Sequence, residues 1–208
     1  MDNKIKVKKC HIRNDIHTKL SGITCDDIQD SSKAVTNRVV SCPVYTKASH
    51  LSVFVSLSGE LQTDMLVKRS FLDCKLVSVP MVVGVTDMLM IPLDNFEGLS
   101  TLKSSYFGVR QPRVDCLGME NPDVSIDLVI VPGLAFSPAG GRLGRGKGYY
   151  DRFLARLTDS RKGCGLSPPI LMGICLDEQV LPSVPMEEHD YRMHYVVTPS
   201  HFYICIEQ

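Results

Sequence analysis

Residues 127–132 read DLVIVP, an unbroken apolar run between an aspartate and a proline. A strand with one wet face alternates apolar and polar side chains, whereas a strand buried on both faces does not. The run therefore reads as an interior strand of a parallel sheet. Parallel neighbours can be joined only by a crossover, so one such strand commits the chain to alternating strands and helices. The rest of the sequence agrees. LSVFVSL at 51–57, KLVSVP at 75–80, MLMIPL at 88–93, PILMGICL at 169–176, HYVVTP at 194–199 and FYICIE at 202–207 all read as strands. Ile5, Ile12, Ile16 and Leu20 share one face of a helix over 4–20, with Lys9 and Arg13 one turn apart on another face. Thr24 and Asp27 form a capping-box pattern ahead of a second helix that turns Ile28, Val35 and Val39 inward. Thr63 or Asp64 opens a third helix to about Leu72, which completes a β-α-β unit with a short loop at 58–62. The stretch 94–126 is irregular and long enough to cover a site. The expectation is a single domain over 1–208: a three-layer α/β fold with a mostly parallel, Rossmann-like sheet flanked by helices. In such sheets ligands gather at the carboxyl ends of strands, and the loops 58–62 and 133–147 both leave such ends.

Composition narrows the partners. The 208 residues carry 23 basic and 23 acidic side chains, which argues against a bulk nucleic-acid binder that must replace counterions with a basic field. No apolar run approaches the ~18 residues of a membrane span, and the opening MDNKIKVKKCHIRNDIHTKL lacks an apolar signal core. The eight cysteines and six histidines show no metal-ligand spacing, so they read as reduced thiols and ordinary imidazoles. A cytoplasmic monomer that works on small molecules is the expectation.

After DLVIVP comes GLAFSPAGGRLGRGKGYYD, with glycines at 140, 141, 144, 146 and 148. Glycine tolerates positive φ and lets backbone N–H groups approach an anion. A helix that starts near Gly148 and runs to about Leu157 aims the positive end of its dipole at the same place. Arg142, Arg145 and Lys147 add charge. Asp151 in the first turn could cap the helix or hold Mg²⁺ beside a phosphate. Gly141 to Lys147 fits the opening of a P-loop, G-x-x-x-x-G-K, but Gly148 stands where that motif needs a Ser or Thr. Gly144, Gly146 and Gly148 form G-x-G-x-G, not the dinucleotide G-x-G-x-x-G. The segment reads as a phosphate loop of another lineage, with a flexible basic turn as the plain alternative.

These residues carry a resemblance. VPGLAFSPAGGRLGRGKGYYDRFL is similar to the signature of the 5-formyltetrahydrofolate cyclo-ligases, also called 5,10-methenyltetrahydrofolate synthetases. Lys9 and Arg13, SVFVSLSGELQT around Glu60, KLVSVP, DMLMIP, FGVRQP and EQVLPSVPMEEHD follow in the family's order. The resemblance implies an ATP-dependent ligase that cyclises 5-formyltetrahydrofolate to 5,10-methenyltetrahydrofolate through phosphorylation of the formyl oxygen. It further implies that Lys9, Arg13 and Arg142, Leu143, Gly144, Arg145, Gly146, Lys147, Gly148, Tyr149 and Tyr150 contact ATP. Val55, Glu60, Phe107 and the stretch Arg145 to Tyr149 would face the folate, Asp151 and Asp190 would hold Mg²⁺, and Arg145 or Lys147 would stabilise the transferring phosphoryl group. Two other readings stand beside it: a phosphoryl-transfer ATPase of P-loop type, and a folate- or nucleotide-binding module without activity.

Overall fold

The computed structural model describes residues 2–104, 110–112 and 122–206. The chain opens with α1 (Asp2–Leu20), α2 (Cys25–Val40) and the short α3 (Pro43–Lys47). Strand β1 (His50–Val53), helix α4 (Asp64–Leu72), strands β2 (Leu76–Val83) and β3 (Asp87–Leu93), one turn of helix α5 (Gly98–Thr101) and the small ladder β4 (Lys103–Ser104) with β5 (Arg110–Gln111) follow. Next come β6 (Leu128–Val131), a second small ladder of β7 (Ala135–Phe136) and β8 (Arg142–Leu143), and α6 (Tyr149–Gly163). Strands β9 (Ile170–Ile174), β10 (Tyr195–Val197) and β11 (Phe202–Ile204) close the fold.

The main sheet has seven strands in the order β11-β10-β9-β6-β1-β2-β3. Its five inner strands are parallel, and β3 and β11 pair antiparallel at the two edges. The run that reads as an interior strand is indeed central: every residue of β6 is buried. Period two then divides its side chains between two cores. Leu128 and Ile130 join one cluster with Val35 and Val39 of α2 and Leu66 and Val67 of α4. Val129 and Val131 join the other with Phe153, Leu154 and Leu157 of α6. Helices thus cover both faces, which makes the expected three layers. Each fully buried aliphatic side chain contributes about 2 kcal/mol through apolar area removed from water.

Several boundaries differ from the sequence reading. The strand expected over 51–57 leaves the sheet after Val53, although Phe54 and Val55 stay buried. Its flanking β6 ends at Val131 before Pro132, and the Thr63 hydroxyl donates to the Phe54 carbonyl at 2.7 Å, which turns the chain away. Thr63 occupies the N-cap of α4 but makes no capping bond, because its hydroxyl is spent there. Strand β2 runs past Pro80 to Val83; β1 pairs it only as far as Ser78, so the missing proline N–H breaks no bond on that side. Helix α6 continues past Leu157 to Gly163, where buried Arg161 donates to the Val124, Ile126 and Ser167 carbonyls. Thr24 caps α2 as expected, accepting from the Asp27 N–H at 3.1 Å. Among the described residues no helix is long and apolar enough to cross a membrane.

Candidate active site

From β1 the chain steps to β2 and β3 on one side; from β6 it steps to β9, β10 and β11 on the other. The carboxyl ends of β1 and β6 therefore diverge at a topological switch point, the place where open α/β sheets leave a crevice. A cavity of about 690 Å³ lies there. The loop after β1 supplies Phe54, Val55, Leu57 and Glu60, and the segment after β6 supplies Pro132, Gly133 and the run Arg142 to Asp151. Helix α1 brings Lys6, Lys9 and Arg13 across the top, and Glu187, His189 and Asp190 close one side.

The glycine-rich segment divides into two parts. Its first part belongs to a β-hairpin in which the Gly140 and Gly141 N–H groups are spent within the fold. Ser137 spends its hydroxyl on the Gly141 N–H at 3.0 Å and its carbonyl on the Gly140 N–H at 2.9 Å. Gly140 has φ +79°, and a Cβ there would collide with the Met193 carbonyl, so only glycine fits. The Leu143 side chain is buried against Ile16 of α1, which leaves its backbone to face the cavity. The second part, Gly144 to Gly148, is exposed or half-exposed. Among the described residues the N–H groups of Arg145, Gly146 and Lys147 have no partner. Gly148 caps α6 with φ +68° and no side-chain bond. This geometry explains the departure from the P-loop pattern: a Ser or Thr would be strained at that φ.

The cations of the site fall into two sets. Lys9 is buried and donates at 2.6 Å to both Glu187 and Asp190. Burial alone would lower the Lys9 ammonium, but its bonds to Asp190 and Glu187 outweigh that and raise it. The same contact holds the Asp190 carboxyl below the usual range against the opposing effect of burial. Arg142 is buried too and donates to Asp151 Oδ1 at 2.6 Å and to the Pro132 carbonyl at 3.3 Å. Asp151 is thus engaged by Arg142 and does not cap α6. Arg13 is half-buried and holds the Gly144 carbonyl at 2.9 Å. By contrast Arg145 and Lys147 are exposed. Arg145 reaches across the cavity to donate to Glu60 Oε1. The other Glu60 oxygen accepts from the Leu57 N–H at 3.0 Å. The Lys147 ammonium has no partner among the described residues.

The structure gathers into one cavity Val55, Glu60, Lys9, Arg13, Asp151, Asp190 and the run 142–150. Phe107 lies outside the described residues. The sequence reading passed over Pro80, Val82 and Met88, which form the apolar wall. It also passed over Glu187 and read His189 as an ordinary imidazole without metal spacing, although the acidic density of MEEHD was a usable signal. Ligand atoms of Glu187, His189 and Asp190 lie within 4.8 Å of one another. Oxygen donors suit a hard divalent cation, and Asp190 offers one, with its Oδ2 taken by Lys9 in this structure. Asp151 lines the same cavity with one oxygen given to Arg142. The turn between β2 and β3 forms a rim tied to α6. Tyr149 donates to the Val85 carbonyl at 3.1 Å, Arg152 to that of Thr86 at 2.8 Å and Arg156 to that of Met88 at 2.6 Å.

Comparison with known proteins gives a consistent result. The model of the 5-formyltetrahydrofolate cyclo-ligase family matches residues 5–199. A probable 5-formyltetrahydrofolate cyclo-ligase of Caenorhabditis elegans is 32% identical over 195 residues, 93% of each chain. The 5-formyltetrahydrofolate cyclo-ligase of Mus musculus is 28% identical over 188 residues, covering 89% of this chain and 91% of its own. The 5,10-methenyltetrahydrofolate synthetase structure from Aquifex aeolicus superposes with a TM-score of 0.77 at 23% identity, over 96% of this chain and 94% of its own.

Proposed function

The chain belongs to the 5-formyltetrahydrofolate cyclo-ligase family, and from that premise we propose that it is an ATP-dependent ligase closing 5-formyltetrahydrofolate to 5,10-methenyltetrahydrofolate. One observation carries this reading most directly: an exposed arm of cations and unpaired N–H groups faces a carboxylate across a single cavity. The arm suits polyphosphate. The carboxylate, Glu60, suits the amino-pyrimidine edge of a folate, which offers two donors. Val55 and the wall of Pro80, Val82 and Met88 suit the flat apolar body of the pterin.

The chemistry asks for little beyond placement and charge. A formamide carbon is a poor electrophile and hydroxide a poor leaving group. The formyl oxygen attacks the γ-phosphorus while the bond from phosphorus to the ADP oxygen breaks. The product is an iminium phosphate on N5. N10 then attacks the same carbon and loses its proton, the C–O bond breaks, and inorganic phosphate leaves the closed ring. Lys147 and Arg145 stabilise the phosphoryl group in flight, and the N–H groups of 145–147 hold its oxygens. Lys9, Arg13, Arg142 and Tyr150 complete the ATP side. Mg²⁺, held by Asp151 and Asp190, would supply neutralisation of phosphate charge. The cavity keeps both substrates in reach of one another. We assign this work to a cytoplasmic monomer.

The test is direct. Purified protein with Mg-ATP and 5-formyltetrahydrofolate develops the near-ultraviolet chromophore of the methenyl product, with one ADP released per turnover. Hydrolysis of ATP with no chromophore would point to a different acceptor and sink the assignment.

A further inference from the structure

The open part of the glycine-rich segment poses a physical problem. Glycine leaves its backbone free to turn, so the peptide units from Gly144 to Gly148 rotate at little cost. An anion is held only while N–H groups face it; a rotated unit presents a carbonyl lone pair and repels it. Arg13 holds the Gly144 carbonyl at the start of this arm, and Arg152 holds the Lys147 carbonyl at its end, donating from Nη2 at 2.8 Å. Arg152 is an exposed residue of the first turn of α6. It stands outside the cavity lining, whereas Lys147 and Gly148 belong to it. Its second anchor is the turn between β2 and β3. Its Nε donates to the Thr86 carbonyl at 2.8 Å, and its guanidinium lies 5.6 Å from the centre of the Tyr149 ring, whose hydroxyl holds the neighbouring Val85 carbonyl. One rigid fork thus clamps two carbonyls from distant parts of the chain. Gly148 leaves room for it, since a Cβ there would sit 2.8 Å from Arg152 Nη1.

The clamp fixes a direction. Among the described residues every peptide bond is trans, and in a trans unit the carbonyl and the following N–H point opposite ways. With the Lys147 carbonyl drawn to Arg152, behind the arm, the Gly148 N–H lies on the other side of that peptide, and it has no partner among the described residues. We propose that Arg152 is a positioning residue that locks the 147–148 peptide with its N–H toward the bound triphosphate and its carbonyl away from it. This rests on the reading of the arm as the phosphate site for ATP. Arg152 acts through the backbone of Lys147 and touches no nucleotide. Lysine cannot replace it, because a single ammonium is a point charge without the planar fork that serves two carbonyls at once.

Arg152→Ala and Arg152→Lys test this. The readouts are chromophore kinetics with each substrate varied in turn, amide NMR of the full chain with and without Mg-ATP, and melting temperature. In the unmodified protein Mg-ATP should slow exchange of the Gly148 amide. In Arg152→Ala that protection should be lost, kcat/KM for Mg-ATP should fall at least about tenfold, and KM for 5-formyltetrahydrofolate should hold. Melting temperature should stay where it was, because the side chain is exposed. Arg152→Lys keeps the charge but not the fork, so it should remain impaired on the same parameter. Full recovery with lysine would show that charge alone suffices and overturns the proposal. So does an unchanged kcat/KM for Mg-ATP in Arg152→Ala, or a loss shared by both substrates with a lower melting temperature, which would make Arg152 a stability residue. If Mg-ATP protects no amide of 145–148 in the unmodified protein, the arm is not the phosphate site, and the function assignment fails first and this proposal with it.

Discussion

Lys9 and Arg142 on the one hand, and Arg145 and Lys147 on the other, are all basic residues of the same candidate phosphate site, yet they are held in opposite ways. The first pair is buried and already neutralised, Lys9 by Glu187 and Asp190, Arg142 by Asp151. The second pair is exposed; one member has a single carboxylate partner across the cavity and the other has none among the described residues. A buried charge cannot stay unpaired, so its partners come with it. A surface charge can wait for a ligand at little cost. On the proposed reading the buried pair frames the ATP side with its charge already paired, and the exposed pair supplies the uncommitted charge for phosphate.

The contrast breaks most sharply at Lys147. Lys147→Ala should lower turnover about a thousandfold, as for removal of a preorganised donor at developing charge, and leave the melting temperature unchanged. Steady-state kinetics and calorimetry read both, and a variant that melted early would place Lys147 in the frame instead. Arg142→Leu should behave in the reverse sense. It strands Asp151 in a partly buried position and should cost about 3 kcal/mol in urea unfolding. A variant as stable as the unmodified protein would show that Arg142 is no part of the frame.

The smallest effect concerns pH. The folded-state carboxyl of Asp190 sits below its ordinary value. Its contribution is therefore present above the unfolded value of about 3.9 and is lost as pH falls through the folded one. Lys9 is raised, so its share is present below about pH 10.5 and lost as pH climbs through the folded value. Asp190→Asn should lower stability at neutral pH and flatten the acid limb below about pH 4. An acid limb of unchanged slope in denaturation curves would mean that the pair contributes nothing.

Much of the fold was legible because its signals are local. β6 announced itself through four consecutive apolar residues, and the α2 face through Ile28, Val35 and Val39, all of which are buried. The strand limits at Val53 and Val83 were not legible, since they depend on where a neighbour stops and on a bond between Thr63 and Phe54. The site was half legible. The resemblance marked the residues that line the cavity, but nothing local says that Gly140 and Gly141 belong to a hairpin, whereas Gly144 to Gly148 stay open.

The opening run and the glycine-rich segment that follows it were enough to determine an α/β chain with a basic glycine-rich turn after a strand's carboxyl end. Hydrophobic period and tolerance of positive φ are properties of adjacent residues, so sequence can hold them. Only the tertiary structure decided which cations are spent and which are available. Lys9 meets its carboxylates 178 and 181 residues away, and Arg145 meets Glu60 across 85. Charge pairing falls off with distance in space and is indifferent to distance along the chain. Which groups are paired, and which are left for a ligand, is therefore settled when the sheet brings β1 and β6 side by side.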